Sequence, residues 1–129
     1  MEVCGMLTIL VYLFGLVFLA VGILGFVPAA SPNEMLLGIF HVNLIHNLIH
    51  IVTGVIALAV GFGRCSCCSP RRFFQVFGII YGLVAILGFW YGDAPILGLV
   101  ANNMADSVLH SVIAVVSLYL GFGCCCKSS

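Results

Sequence analysis

The chain has 129 residues, of which 64% are hydrophobic and 6% charged, with a formal net charge of zero and a mean hydropathy of +1.31. Soluble domains carry roughly 25% charged residues, so a water-soluble fold is excluded and the lipid bilayer is the expected surroundings. With only four Lys and Arg in all, no basic surface for nucleic acid can be built.

Four apolar stretches follow in chain order: about Val3–Val27, Leu36–Phe62, Phe73–Tyr91 and Met104–Phe122. Each approaches or exceeds the ~20 residues that cross a hydrocarbon core. The first lacks a basic n-region and is longer than a signal-peptide h-region, so it reads as a permanent helix. Between the first two stretches, Ser31-Pro32-Asn33-Glu34 reads as a capping box with Ser31 as N-cap. Leu36 to Gly63 then reads as one long helix of roughly 42 Å, with a bend at Gly38. Asp93-Ala94-Pro95 starts the equivalent segment later in the chain.

Arg64, Arg71 and Arg72 separate the second and third stretches, and Lys127 follows the fourth. All four cations fall on one side, which the positive-inside rule assigns to the cytoplasm together with both termini. The opposite loops, Pro28–Met35 and Gly92–Asn102, hold Glu34 and Asp93 and no cation.

Leu36–Gly63 and Ile96–Gly123 align without gaps. The ten identities are Leu37/Leu97, Gly38/Gly98, Asn43/Asn103, His50/His110, Val52/Val112, Val55/Val115, Leu58/Leu118, Gly61/Gly121, Phe62/Phe122 and Gly63/Gly123. The fold class is therefore expected to be an all-α membrane protein of four transmembrane helices. The single domain, 1–129, divides into two tandem hairpin repeats (about 3–63 and 73–123) related by a pseudo-two-fold axis along the membrane normal. That symmetry would set the second and fourth helices face to face. Gly78-x-x-x-Gly82 fits ordinary close packing better than a dedicated homo-oligomer face.

The repeat carries a polar motif, and polar side chains at membrane depth mark functional sites by default. With Asn43 at zero on a helical wheel, His46, Asn47 and His50 share an arc of about 100°, continued by Gly54. Asn103, Asp106, Ser107 and His110 repeat the arrangement, continued by Ala114. His41 falls about 160° away and is left out of the site.

Two readings stay open. In one, His46, His50, Asp106 and His110 ligate Zn, Cu or Fe, with Asn43, Asn47, Asn103 and Ser107 holding the ring tautomers. In the other, the same residues form a metal-free network that locks the helices in a structural or stress-related protein. Haem or quinone ligation by His50 and His110 fits poorly, because Gly54 and Ala114 imply close helix approach. An enzyme is a weaker reading: no Ser/His/Asp set, catalytic carboxylate pair or nucleotide loop is present, and four helices with short loops leave little room for a cleft in one copy.

The seven cysteines fall at the expected cytoplasmic edges, where they should be reduced. Cys65, Cys67 and Cys68 and the matching Cys124, Cys125 and Cys126 are candidates for lipidation or for capture of a soft metal ion.

The run Leu37-Gly38-Ile39-Phe40-x-Val42-Asn43-x-x-His46-Asn47-x-x-His50, with Asn103-x-x-Asp106-x-x-x-His110, resembles the bacterial membrane family called domain of unknown function 4383. The resemblance covers essentially the whole chain. It implies a four-helix protein of the bacterial inner membrane and brings no established activity, and the cysteine clusters depart from the family pattern.

Overall fold

A computed structural model of the chain describes residues 3–63 and 69–123. Its elements are α1 (Val3–Leu24), a 3-10 turn (Pro32–Glu34), β1 (Met35–Leu36), β2 (Phe40–His41), α2 (Leu44–Gly61), α3 (Pro70–Tyr91) and α4 (Met104–Leu118). A π turn, Tyr119–Gly123, ends α4. Four helices are long and apolar enough to cross a membrane, as the composition requires.

The expected long second helix is corrected. Residues Met35–His41 form a small antiparallel hairpin pairing Met35 with His41 and Leu36 with Phe40. Leu37 and Gly38 turn the chain with φ of 53° and 71°, and Leu97 and Gly98 do the same at 54° and 71°. Positive φ at both central residues is what a tight hairpin turn of the primed type needs. Hydrophobicity alone could not reveal this, since an apolar run reads the same in a helix and in a turn at the membrane edge. Leu37 and Leu97 are each 66% exposed, so both turn tips are greasy.

The capping box at Ser31 is also corrected. Ser31 makes no side-chain cap; its hydroxyl donates instead to the Leu24 carbonyl at 3.0 Å. The last carbonyls of a helix lack intrahelical partners, and Ser31 satisfies one of those left by α1. The true helix starts lie at Asn43 and Asn103, whose side chains accept from the amides of His46 and Asp106.

Packing is tightest within hairpins, α1 along α2 and α3 along α4. A Cβ on Gly54 would lie 2.7 Å from the Leu19 nitrogen of α1. Gly54 and Ala114 therefore do not line a close seam between α2 and α4, because Gly54 serves α1 and Ala114 sits 4.0 Å from where a Gly82 Cβ would lie on α3. Between the hairpins the contact is aromatic: Phe14 meets Phe77 edge-on at 4.9 Å and Phe18 meets Tyr81 at 5.7 Å. At the opposite end from the turns, the Gly121 carbonyl accepts from Arg71 Nε at 3.0 Å and Gln75 Nε2 at 2.9 Å.

Cys4 is disulfide-bonded, which corrects the expectation of seven reduced cysteines. The chain direction brings the start of α1 and the ends of α2 and α4 to one end of the bundle. Cys65, Cys67, Cys68, Cys124, Cys125 and Cys126, with Arg64 and Lys127, lie outside the described residues.

Two glycine substitutions separate tight from loose packing. A Cβ at Gly25 would overlap the Asn47 carboxamide, so Gly25→Ala should destabilise the protein by about 1–3 kcal/mol. Gly82→Ala, with 4.0 Å of clearance, should be neutral or gain up to ~1 kcal/mol of helix propensity. Thermal unfolding of both variants in detergent checks the pair.

Candidate metal centre

The site begins with two N-caps. Asn43 Oδ1 accepts from the His46 amide at 2.9 Å, and Asn43 Nδ2 donates to the Leu99 carbonyl at 2.9 Å. Asn103 Oδ1 accepts from the Asp106 amide at 2.9 Å, and Asn103 Nδ2 donates to the Ile39 carbonyl at 2.8 Å. Each asparagine thus caps its own helix and fastens the turn of the other half. Asp106 completes a capping box: its Oδ2 accepts from the Asn103 amide at 3.0 Å and from the His41 amide at 3.1 Å.

That frame fixes His46 in the first turn of α2. His46 Nδ1 lies 3.1 Å from the His41 carbonyl, which can only accept, so Nδ1 carries the proton and Nε2 presents its lone pair. A backbone carbonyl on the far nitrogen is the usual way in which a metal-ligating imidazole is oriented. His46 Nε2 lies 3.1 Å from His50 Nε2, and the His46 and His110 rings are 6.0 Å apart. One ligand atom from each of His46, His50 and His110 falls within 4.8 Å of the other two.

His46 and His110 are only 4% and 5% exposed, and His50 is half-buried. Phe18 stacks on His50 at 5.0 Å, and Tyr81 meets His110 edge-on at 5.4 Å. Nδ1 of His50 and Nδ1 of His110 are buried with no hydrogen-bond partner among the described residues. Leaving a buried polar atom unsatisfied costs about 1–3 kcal/mol, and neither ring has on Nδ1 the kind of partner that orients His46.

The predicted ligands therefore divide. His46, His50 and His110 come together, while Asp106 is outside the group and serves backbone amides. The tautomer-holding role expected of the four polar neighbours falls elsewhere. Asn43 and Asn103 are caps, Asn47 packs against Gly25 just past the end of α1, and Ser107 packs against Gly88 of α3. His41, left out on the wheel, takes part through its backbone, since it is in a strand and the wheel does not apply. Its side chain points away, with Nε2 3.9 Å from Glu34.

Residues 8–123 match the family described as Domain of unknown function (DUF4383). The chain belongs to that family. No curated protein and no solved structure matches it.

Two features of this DUF4383 protein escaped the sequence. Asn102 is fully buried and donates to the carbonyls of Gly88 at 3.1 Å and Gly92 at 2.7 Å, closing the end of α3. The first half has Val42 at that position, so no repeat drew attention to it. The second is a cleft of about 570 Å³ between α2 and α3, with the three histidines along its wall. From sequence, one copy leaves little room for a cleft, and this volume is larger than that expectation. The hairpins meet only lightly along α2 and α3.

The capping role of Asp106 has a direct consequence. An amide has one acceptor oxygen and cannot relieve the loss of carboxylate charge at a helix N-terminus. Asp106→Asn should lower stability by about 1 kcal/mol and Asp106→Ala by about 2 kcal/mol. Detergent thermal denaturation should rank the three proteins in that order.

Proposed function

We propose that this protein is a small integral membrane protein that binds one transition-metal ion through His46, His50 and His110, in ion handling or sensing. The observation that carries the reading is the convergence of three buried imidazoles, two of them with Nε2 atoms 3.1 Å apart. Two nitrogens bound to one zinc at 2.0–2.1 Å in tetrahedral array lie roughly 3.3–3.4 Å from each other, so the observed spacing needs little change. Three neutral nitrogen donors suit Zn, and Cu or Fe by the same imidazole chemistry. Asp106 supports the ligands from the capping box. The metal-free locking role, which competed for the same residues on sequence, fits the Asn43, Asn103 and Asp106 set instead.

The wider setting belongs to the same proposal. The ten identities and the matched turn and cap angles support two tandem repeats about a pseudo-two-fold axis. Arg71 and Arg72 at the start of α3 support a cytoplasmic position for that end and for both termini, in a bacterial inner membrane by the resemblance already given. A disulfide at Cys4 is an exception to that setting, because such bonds are rare in a reducing cytosol. The paired cysteine clusters remain proposed sites of lipidation or soft-metal capture, and self-association into a homo-oligomer is retained without an assigned face.

Elemental analysis of the purified protein tests the centre. The wild type should carry close to one metal ion per chain, and His46→Ala, His50→Ala and His110→Ala should each fall to background. Asp106→Asn should keep the metal. Wild type and His50→Ala both at background would sink the reading, and an Asp106→Asn protein that folds without metal would overturn the separation of Asp106 from the centre.

A further inference from the structure

The cleft and the three histidines form one continuous feature, and its chemistry defines an occupant. The cleft follows α2 from His46 to Val60, about 21 Å of helix, and its walls between Thr53 and Val60 on one side and Val76 and Ile80 on the other are almost wholly aliphatic and aromatic. A volume of about 570 Å³ falls within the range of roughly 300–1,000 Å³ typical of small-molecule sites. The three histidines line one end of it and Arg72 the other, with Thr53 and Tyr81 between them.

This inference rests on the metal reading above. A divalent ion held by three neutral imidazoles keeps a charge of +2, and an uncompensated charge in an apolar interior is strongly disfavoured. Three imidazoles leave the fourth position of a tetrahedral ion open, Asp106 is held at two backbone amides through Oδ2, and no carboxylate lines the cleft among the described residues. The anion must arrive with the ligand, and the rest of the ligand must match a long apolar wall. We propose that the cleft binds a single-chain amphiphile whose carboxylate coordinates the metal at His46, His50 and His110 while its hydrocarbon chain lies between α2 and α3.

Cobalt(II) in place of the native metal gives a visible spectrum that reports direct coordination by an anion. The full-length protein in a non-ionic detergent is loaded with Co²⁺ and titrated with palmitate, methyl palmitate, acetate and phosphatidylglycerol. Palmitate should shift the cobalt bands and saturate at one per chain, and the other three should have at least ten-fold weaker effects. Ile80 is 51% exposed, so Ile80→Trp should fold, load Co²⁺ as the wild type does, and bind palmitate at least ten-fold more weakly. Acetate or methyl palmitate as effective as palmitate overturns the proposal, as does a full response to palmitate in Ile80→Trp. Phosphatidylglycerol acting as well as palmitate makes the ligand a diacyl headgroup and overturns the single-chain assignment. Co²⁺ loading with no response to palmitate overturns this inference alone, whereas failure to load Co²⁺ overturns the metal reading and this inference together.

Discussion

Two asparagine side chains, each used at both ends, hold the architecture in place. The oxygen of Asn43 starts α2 and its nitrogen grips the turn of the second half at Leu99; the oxygen of Asn103 starts α4 and its nitrogen grips the turn of the first half at Ile39. Where water is scarce, exposed backbone groups at a helix start need partners from the protein itself. A cap alone would satisfy only its own helix. Here the same residue also satisfies a carbonyl of the neighbouring turn, so neither half can be finished without the other. The turns themselves hold Leu37 and Leu97 at positive φ, a conformation that costs a non-glycine residue about 1–2 kcal/mol, and these cross-bonds keep them there.

His41 extends this logic into the centre. Its amide donates to Asp106 of the second half, and its carbonyl orients the His46 ring of the first. One peptide segment thus couples the capping box of α4 to the imidazole that faces the cleft. The polar residues split by chemistry: asparagine and aspartate, with complementary donors and acceptors close to backbone, build the frame, and the imidazoles are left for a ligand. Nδ1 of His50 and of His110, buried without partners among the described residues, mark the boundary between the two sets.

Much of this was legible in the sequence. Hydropathy located four spans, and the spacing of Asn43, His50, Asn103 and His110 picked out the polar end. The start of α2 was not legible from hydropathy, because Leu36, Leu37, Ile39 and Phe40 continue the apolar run without a break. A subtler signal was available. Asn103 stands three residues before Asp106, the spacing of a capping box, and Asn43 stands three before His46 in the matching position. Placing both asparagines on a helical wheel hid that signal and moved His41 to a face it does not occupy. The partition of Asp106 from the histidines was beyond sequence reach, since it depends on the amide of a strand residue 65 positions away.

The cleft follows from where small residues were spent. Gly15, Gly22 and Gly25 bring α1 onto α2, and Gly78 and Gly88 bring α3 onto α4; in lipid such contacts are a main source of helix association. The seam between the hairpins has rings instead, with Phe14, Phe18, Phe77 and Tyr81 meeting at centroid distances of 4.1–5.7 Å. Rings cannot let two backbones approach as glycines do, so α1 and α3 pack less closely than the two helices of either hairpin. The outcome is a bundle stiff within each half and parted between them. The apolar walls of that parting, which run up to His46, His50 and His110, suit the hydrocarbon part of a ligand, while the imidazoles suit an ion.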